Sequence, residues 1–342
     1  MRKILIVGPS WVGDMVMAQS LFMSLKHAGA CEIDVLAPAW SLPILARMPE
    51  VRRGVVMPLG HGQIDLGARW RLGRELARER YGQAIVLPGS FKSALAPFFA
   101  RIPQRTGFRG EMRYGLLNDL RPLDRARLPM TVQRFVALGQ PRGADAAPPS
   151  FRVPSLIADA VNQRALLERF GLDVARPVIA FMPGAEYGPA KQWPPAHYAG
   201  LARLLAARGF QIWVLGSNKD SEAARPIAAG NPDVRDLTGR TGLGDAVDLL
   251  ALARAAVSND SGLMHVAAAL DVPLAAIFGS SSPEHTPPLG KRAIIESLCL
   301  PCAPCFARRC PLAHTRCLTG IGPARVLAAL EPFIAGKENA PH

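Results

Sequence analysis

The sequence predicts an α/β protein made of two tandem Rossmann-like domains, each a doubly wound parallel sheet. Three observations carry that expectation. The chain has 342 residues, about twice an ordinary domain. Short apolar runs bounded by Gly and Pro alternate with longer amphipathic stretches, roughly every 25 residues. The alternation pauses after Pro148-Pro149 and then begins again. Strand–helix alternation requires helical crossovers, and hence parallel sheets covered on both faces.

In chain order, residues 4–8, 33–37, 55–58 and 84–87 read as buried strands. Residues 15–27, 40–47, 66–80 and 91–101 read as the helices between and after them. Strands are expected again at 178–182, 211–215, 234–237, 256–258 and 274–278, with helices at 195–208, 220–229, 244–254 and 262–270. A last helix, 323–334, sets Val326, Leu327, Leu330, Phe333 and Ile334 on one face behind a leading proline. The expected domains are 1–165 and 172–322.

Hydrophobic residues make up 49% of the chain and charged residues 20%, which excludes a disordered protein. No apolar run approaches a membrane span, and the N-terminal run at 4–7 is too short for a signal core, so a cytoplasmic protein is expected. Lysine and arginine outnumber acids 40 to 27, giving +13; residues 1–150 hold +10 of it. Such a chain seeks phosphates in nucleic acid, lipid or a small ligand. An aromatic content of 6% argues against base-stacking platforms.

Ligands of open parallel sheets gather beyond the carboxyl ends of the strands. Neither a GxGxxG fingerprint nor a GxxxxGK[ST] loop occurs there, which weakens a dehydrogenase or P-loop reading. Ser258-Asn-Asp-Ser-Gly-Leu-Met-His265 ends a strand and opens a helix. Free N–H groups around Ser261, Gly262 and Leu263 suit a phosphate, with His265 as a further donor; an ordinary cap at Asp260 and a buried histidine suit the pattern equally. Lys191 ends a loop punctuated by Pro and Gly, where it would neutralise a departing diphosphate or lie in solvent. Asp14, opening the first helix, suits a general base or a partner of the helix dipole.

Nine arginines, among them Arg105, Arg109 and Arg113, crowd residues 101–142 against three acids. They read as a surface for a phosphate-bearing partner, or as a solvated basic face. Five of six cysteines fall between Cys299 and Cys317. Cys302, Cys305, Cys310 and Cys317, with His314 among them, suit a structural Zn²⁺; reduced thiols, an iron–sulfur cluster or a redox pair also suit the spacing.

Five motifs taken together resemble a known family: Gly8-Pro-Ser-Trp-Val-Gly-Asp-Met15, Phe91-Lys-Ser-Ala-Leu95, the block from Arg105 to Asn118, Pro183-Gly-Ala-Glu-Tyr-Gly-Pro-Ala-Lys191 and Asn259-Asp-Ser-Gly-Leu-Met-His-Val-Ala-Ala-Ala269. They resemble the bacterial ADP-heptose:lipopolysaccharide heptosyltransferases, the heptosyltransferase II group most of all, from residue 1 to about Pro288. The resemblance implies a GT-B glycosyltransferase whose two domains face a cleft and whose last helix, 323–335, returns to the first domain. It implies inverting transfer of L-glycero-D-manno-heptose from ADP-heptose to the first heptose of the lipopolysaccharide inner core.

On that resemblance Asp14 is the general base and Lys191 stabilises the leaving diphosphate. Ser261, Gly262 and His265 hold phosphates, Asp260 fixes the site, and Asp220 or Glu222 meets the ribose. Lys92, Arg105, Arg109 and Arg113 would meet the acceptor, a lipid A–inner core precursor at the inner membrane, to which the protein would be peripheral. No cofactor is required for the chemistry, and no nucleic acid partner is implied. The alternatives are another GT-B nucleotide-sugar enzyme, such as a heptosyltransferase I-like protein or an epimerase, and a zinc-bearing nucleic-acid-binding protein.

Overall fold

The computed structural model describes residues 2–60, 62–144 and 147–335. They form two compact units divided between Ser155 and Leu156.

The first unit is built on six parallel strands: β1 (Arg2–Val7), β2 (Cys31–Ala37), β3 (Val51–Val56), β4 (Gln83–Val86), β5 (Gln104–Phe108) and β6 (Asp119–Arg121). Their order is β3-β2-β1-β4-β5-β6. Helices α1 (Val12–Ala28), α2 (Leu42–Leu45), α3 (Leu66–Ala77), α4 (Leu95–Phe99) and α5 (Thr131–Gly139) make the connections. Strand order reverses between β1 and β4, so the loops after those strands border the crevice where doubly wound sheets bind ligands. Gly8 follows β1 at close quarters: a Cβ would lie 2.7 Å from Met15 Cε and 3.2 Å from Val35 Cγ1. Helix α1 is apolar on nearly every side because it lies against the sheet and packs on α5 as well.

Two strands of this sheet escape the sequence pattern. β5 and β6 carry Arg105, Thr106, Asp119 and Arg121. Thr106 is buried, accepting from Gln83 Nε2 at 3.2 Å and donating to Asp119 Oδ2 at 3.0 Å. Polar side chains that satisfy one another thus stand where apolar alternation would be sought. On the other wing, the buried Asp34 of β2 accepts from Arg52 Nε (2.8 Å), Arg53 Nε (3.1 Å) and Tyr81 OH (2.5 Å). Burial alone would raise its pKa, but these donors outweigh it and hold the carboxyl below the usual range. That stabilisation is complete above the unfolded-state value near 4 and is lost as the pH falls through the lower folded-state value.

The second unit opens with α6 (Ala160–Phe170) and repeats the design with β7 (Val178–Met182), α7 (Pro195–Ala206), β8 (Gln211–Val214), α8 (Ser221–Ala228), β9 (Val234–Asp236), α9 (Leu243–Leu250), β10 (Ala255–Asn259), α10 (Gly262–Ala269), β11 (Leu274–Ile277) and β12 (Ala293–Glu296). Short α11 (Arg316–Thr319) and α12 (Pro323–Ile334) follow. The strand order is β12-β11-β10-β7-β8-β9, so the reversal lies between β7 and β10. No helix among the described residues is long and apolar enough to cross a membrane.

The boundary falls ten residues before the expected end of the first domain at 165. Leu156 N donates to Ala269 O at 2.9 Å, and Asn162 Nδ2 donates to Asp245 and Asp248 of α9 at 3.0 and 2.7 Å, so 156–165 belong with the second unit. The last helix is also corrected. Val326, Leu327 and Leu330 are buried with Trp193, Leu201 and Leu205 in the second unit's core. The apolar face that was expected to return to the first domain is spent on α7 instead.

Candidate functional site

In the second unit the site grows from the carboxyl ends of β7 and β10, where strand order reverses. Asn259, the last residue of β10, fastens the loop that follows β7. Its Oδ1 accepts from Trp193 N (3.0 Å) and Tyr198 OH (3.2 Å), and its Nδ2 donates to Pro183 O (2.6 Å). Sequence reasoning assigned this asparagine no role. Its signal was slight: a buried amide ending an apolar strand must satisfy its polar atoms locally.

The fastened loop delivers Lys191 to Asp260. Lys191 Nζ lies 2.5 Å from Asp260 Oδ2, which also accepts from Ser281 Oγ at 2.5 Å. Lys191 further sits over the Tyr187 ring, 5.1 Å from its centroid. Asp260 is therefore not the cap of α10. That position falls to Ser261, in extended conformation and with no side-chain capping bond, its hydroxyl 3.2 Å from that of Ser258. The first N–H groups of α10 are left for another acceptor, and an anion is the natural one. Lys191, Ser261 and Gly262 are all partly exposed.

His265 stands one turn into α10 and is 5% exposed. Burial pushes its pKa down to about 4; Asp260 opposes that shift and Lys191 adds to it. The ring is therefore neutral near pH 7, a hydrogen-bonding group rather than a cation. Because the folded value lies below the unfolded value near 6.5, stability is full above that value and falls as the pH drops from there towards 4. Thermal midpoints across this interval should show that slope, and His265→Gln should flatten it; an equal slope in both proteins would remove the histidine from the account.

Asp220 also gathers at this end of the sheet, but its carboxylate already closes a turn. Oδ2 accepts from Ser217 N (2.8 Å) and Ser217 Oγ (2.9 Å). Gly184 and Gly216 crowd it so closely that a Cβ on either would meet the carboxylate at 2.5 and 2.8 Å. Glu222 is exposed in the first turn of α8.

In the first unit Asp14 is half-buried in the opening turn of α1, beyond β1. Lys92 follows β4 in a short 3₁₀ turn, Phe91–Ala94, so the two lie beyond the two strands that flank the reversal. The arginines fare differently. Arg109 is exposed. Arg105 spends Nε on Leu116 O (2.6 Å) and Nη1 on Ile102 O (2.5 Å). Arg113 corrects the sequence expectation outright, being 1% exposed, with Nη1 on Pro88 O (2.6 Å) and Nη2 on Phe108 O. It fastens the loop after β4 to the end of β5 from within and is not a surface contact for a partner.

Four of the clustered cysteines, Cys302, Cys305, Cys310 and Cys317, border one small cavity with His314, Ser280 and Ala190. All are free thiols. Among the described residues no group of three or more His, Cys, Asp or Glu side chains is gathered closely enough to hold a metal ion, so the zinc reading gains no formed cage.

Comparison with known proteins gives these features a family. Residues 69–316 match the model of glycosyltransferase family 9 (heptosyltransferase). The chain is 53% identical over 306 residues to lipopolysaccharide heptosyltransferase 2 of Salmonella typhimurium, covering 86% of this chain and 88% of that protein. It is 47% identical to lipopolysaccharide heptosyltransferase 2 of Escherichia coli K12, covering 98% and 99%. The solved structure of E. coli ADP-heptose lps heptosyltransferase II aligns with a TM-score of 0.88 at 45% identity, over 98% of this chain and 99% of that one. The two doubly wound sheets are thus those of a GT-B fold, and the chain belongs to glycosyltransferase family 9, the heptosyltransferases.

Proposed function

We propose that this glycosyltransferase moves L-glycero-D-manno-heptose from ADP-heptose onto the first heptose of the lipopolysaccharide inner core, with inversion at the anomeric carbon. The observation that carries the reading is the Lys191–Asp260–Ser281 group beside the uncapped start of α10, in a chain whose relatives are heptosyltransferases. A cation, a helix N-terminus and a neutral histidine are the groups that a diphosphate requires.

In this reading the ADP diphosphate takes the N–H groups of Ser261 and Gly262 and a hydrogen bond from His265, while Asp260 keeps Lys191 aimed at it. Asp14 removes the proton of the acceptor hydroxyl as that oxygen bonds to the anomeric carbon. The bond from that carbon to the β-phosphate oxygen breaks, its electron pair leaves with ADP, and Lys191 meets the charge. Lysine and the helix N-terminus supply what a metal ion would otherwise provide, so the step draws on no metal. Glu222, or the free oxygen of Asp220, is the candidate for the ribose hydroxyls. Lys92 and Arg109 remain the groups for an anionic acceptor, joined by whatever donors Arg105 has left. That acceptor, a lipid A–inner core precursor, would bring the protein to the cytoplasmic face of the inner membrane.

The decisive experiment supplies ADP-heptose and a heptose-bearing core acceptor to the full chain. Acceptor-dependent release of ADP, with a gain of one heptose by the acceptor, is the expected result. ADP release without acceptor gain, or no release at all, would defeat the proposal.

A further inference from the structure

We infer that Arg69, Arg113 and Glu111 are positioning residues, which hold the backbone of residues 88–93 so that Lys92 presents its ammonium to an anionic group of the acceptor. The segment follows β4, at the strand-order reversal of the first sheet. Arg69, in the first turn of α3, reaches it from one side. Its Nη1 donates to Lys92 O (2.9 Å), its Nε to Ile64 O (2.6 Å) and its Nη2 to Gln63 O (3.2 Å). One guanidinium thus ties the loop after β3 to the residue that carries the amine. Arg113 holds the two ends of the segment, through Pro88 O and through Ser93 Oγ, which lies 3.4 Å from its Nη1. Glu111 supplies the third hold: its Oε2 accepts from Phe91 N (2.9 Å), and its own N–H donates to Gly89 O (3.2 Å). Gly110 runs so close to Gly89 O that a Cβ there would collide with it.

Arg69 and Arg113 are 3% and 1% exposed, and carbonyl oxygens are their main partners. Burying two cations carries a desolvation cost that an apolar side chain of similar volume would avoid. What the guanidinium adds is direction, because a planar fork engages several carbonyls at fixed angles.

Within Lys92 the main chain is fastened, while the ammonium enters no hydrogen bond or ion pair among the described residues. Its flexible stem loses freedom whenever the amine is captured. A fixed root confines that loss to the side chain and aims the amine before a ligand arrives. A phosphate or carboxylate is the chemistry that such an ammonium recognises. The role given to Lys92 rests on the acceptor reading above, whereas the clamp itself does not.

The test uses the full chain. Glu111 is exposed, so Glu111→Ala loosens the clamp without opening the core. Hydrogen exchange, read without substrate, should quicken at residues 89–93 in this variant and stay unchanged in the second unit. Arg69→Met and Arg113→Met should do the same, and Arg69→Lys should not restore the parent rate, because an ammonium cannot reproduce the fork. In transfer assays Glu111→Ala should raise the acceptor KM by roughly 2- to 30-fold, the range of indirect coupling, while kcat and the ADP-heptose KM hold. On a Lys92→Ala background the same change should cost nothing further. Unchanged exchange at 89–93 in any of the three variants would overturn the hold assigned to that residue. An unchanged acceptor KM, a loss confined to kcat, or equal losses with and without Lys92 would overturn action through that lysine. Exchange is read without heptose transfer, so absence of transfer would defeat the proposed function and leave the clamp to be decided on its own.

Discussion

Asp14→Asn is expected to lower heptose transfer by about 10²- to 10⁴-fold, the usual worth of a general base. ADP-heptose should bind the variant as it binds the parent, because the donor groups all lie in the second unit. Asn conserves the shape of the half-buried side chain in the first turn of α1. It gives up the carboxylate's favourable place at the helix N-terminus, worth about 0.3–1 kcal/mol, so a modest drop in thermal midpoint should accompany a large drop in turnover. Single-turnover rates with the bound donor read the chemical step directly. Full turnover by the variant would remove Asp14 from the reaction.

Lys191→Ala should cost about 10²- to 10³-fold in kcat, as other losses of a group facing developing charge do. This variant carries a second penalty. Asp260, with its side chain only 5% exposed, would lose the cation that lies 2.5 Å from it, and an unpaired buried carboxylate destabilises the fold. The double variant Lys191→Ala, Asp260→Asn separates the two effects: stability should recover while kcat stays low. If kcat returned with stability, the lysine would be a structural partner of Asp260 and no more.

The sequence made the second unit far more legible than the first. Strands such as Val178–Met182 are buried and apolar along their whole length, and the residues after them are the residues of the site. The region from Arg101 to Arg142 misled because it was read by charge. Its strands β5 and β6 hide behind polar residues that satisfy one another across the sheet. Whether an arginine faces solvent or a carbonyl depends on tertiary contacts that no local spacing encodes, as Arg113 and Arg105 illustrate. The destination of the last helix was equally invisible, since an apolar face announces that it will be buried but not against what.

Arg113 has a kinetic consequence. Its guanidinium is held chiefly by main-chain carbonyls, with Glu111 the acid that acts on it, so it contributes positive charge from within the first unit. A buried charge of this kind projects its field through the low-dielectric interior, yet it cannot touch anything that arrives. For an anionic partner it would act as a field felt at a distance, and never as a hydrogen-bond donor. An exposed group such as Arg109 can do both. One segment of chain thus separates attraction at a distance from grip on contact, and assigns them to different arginines.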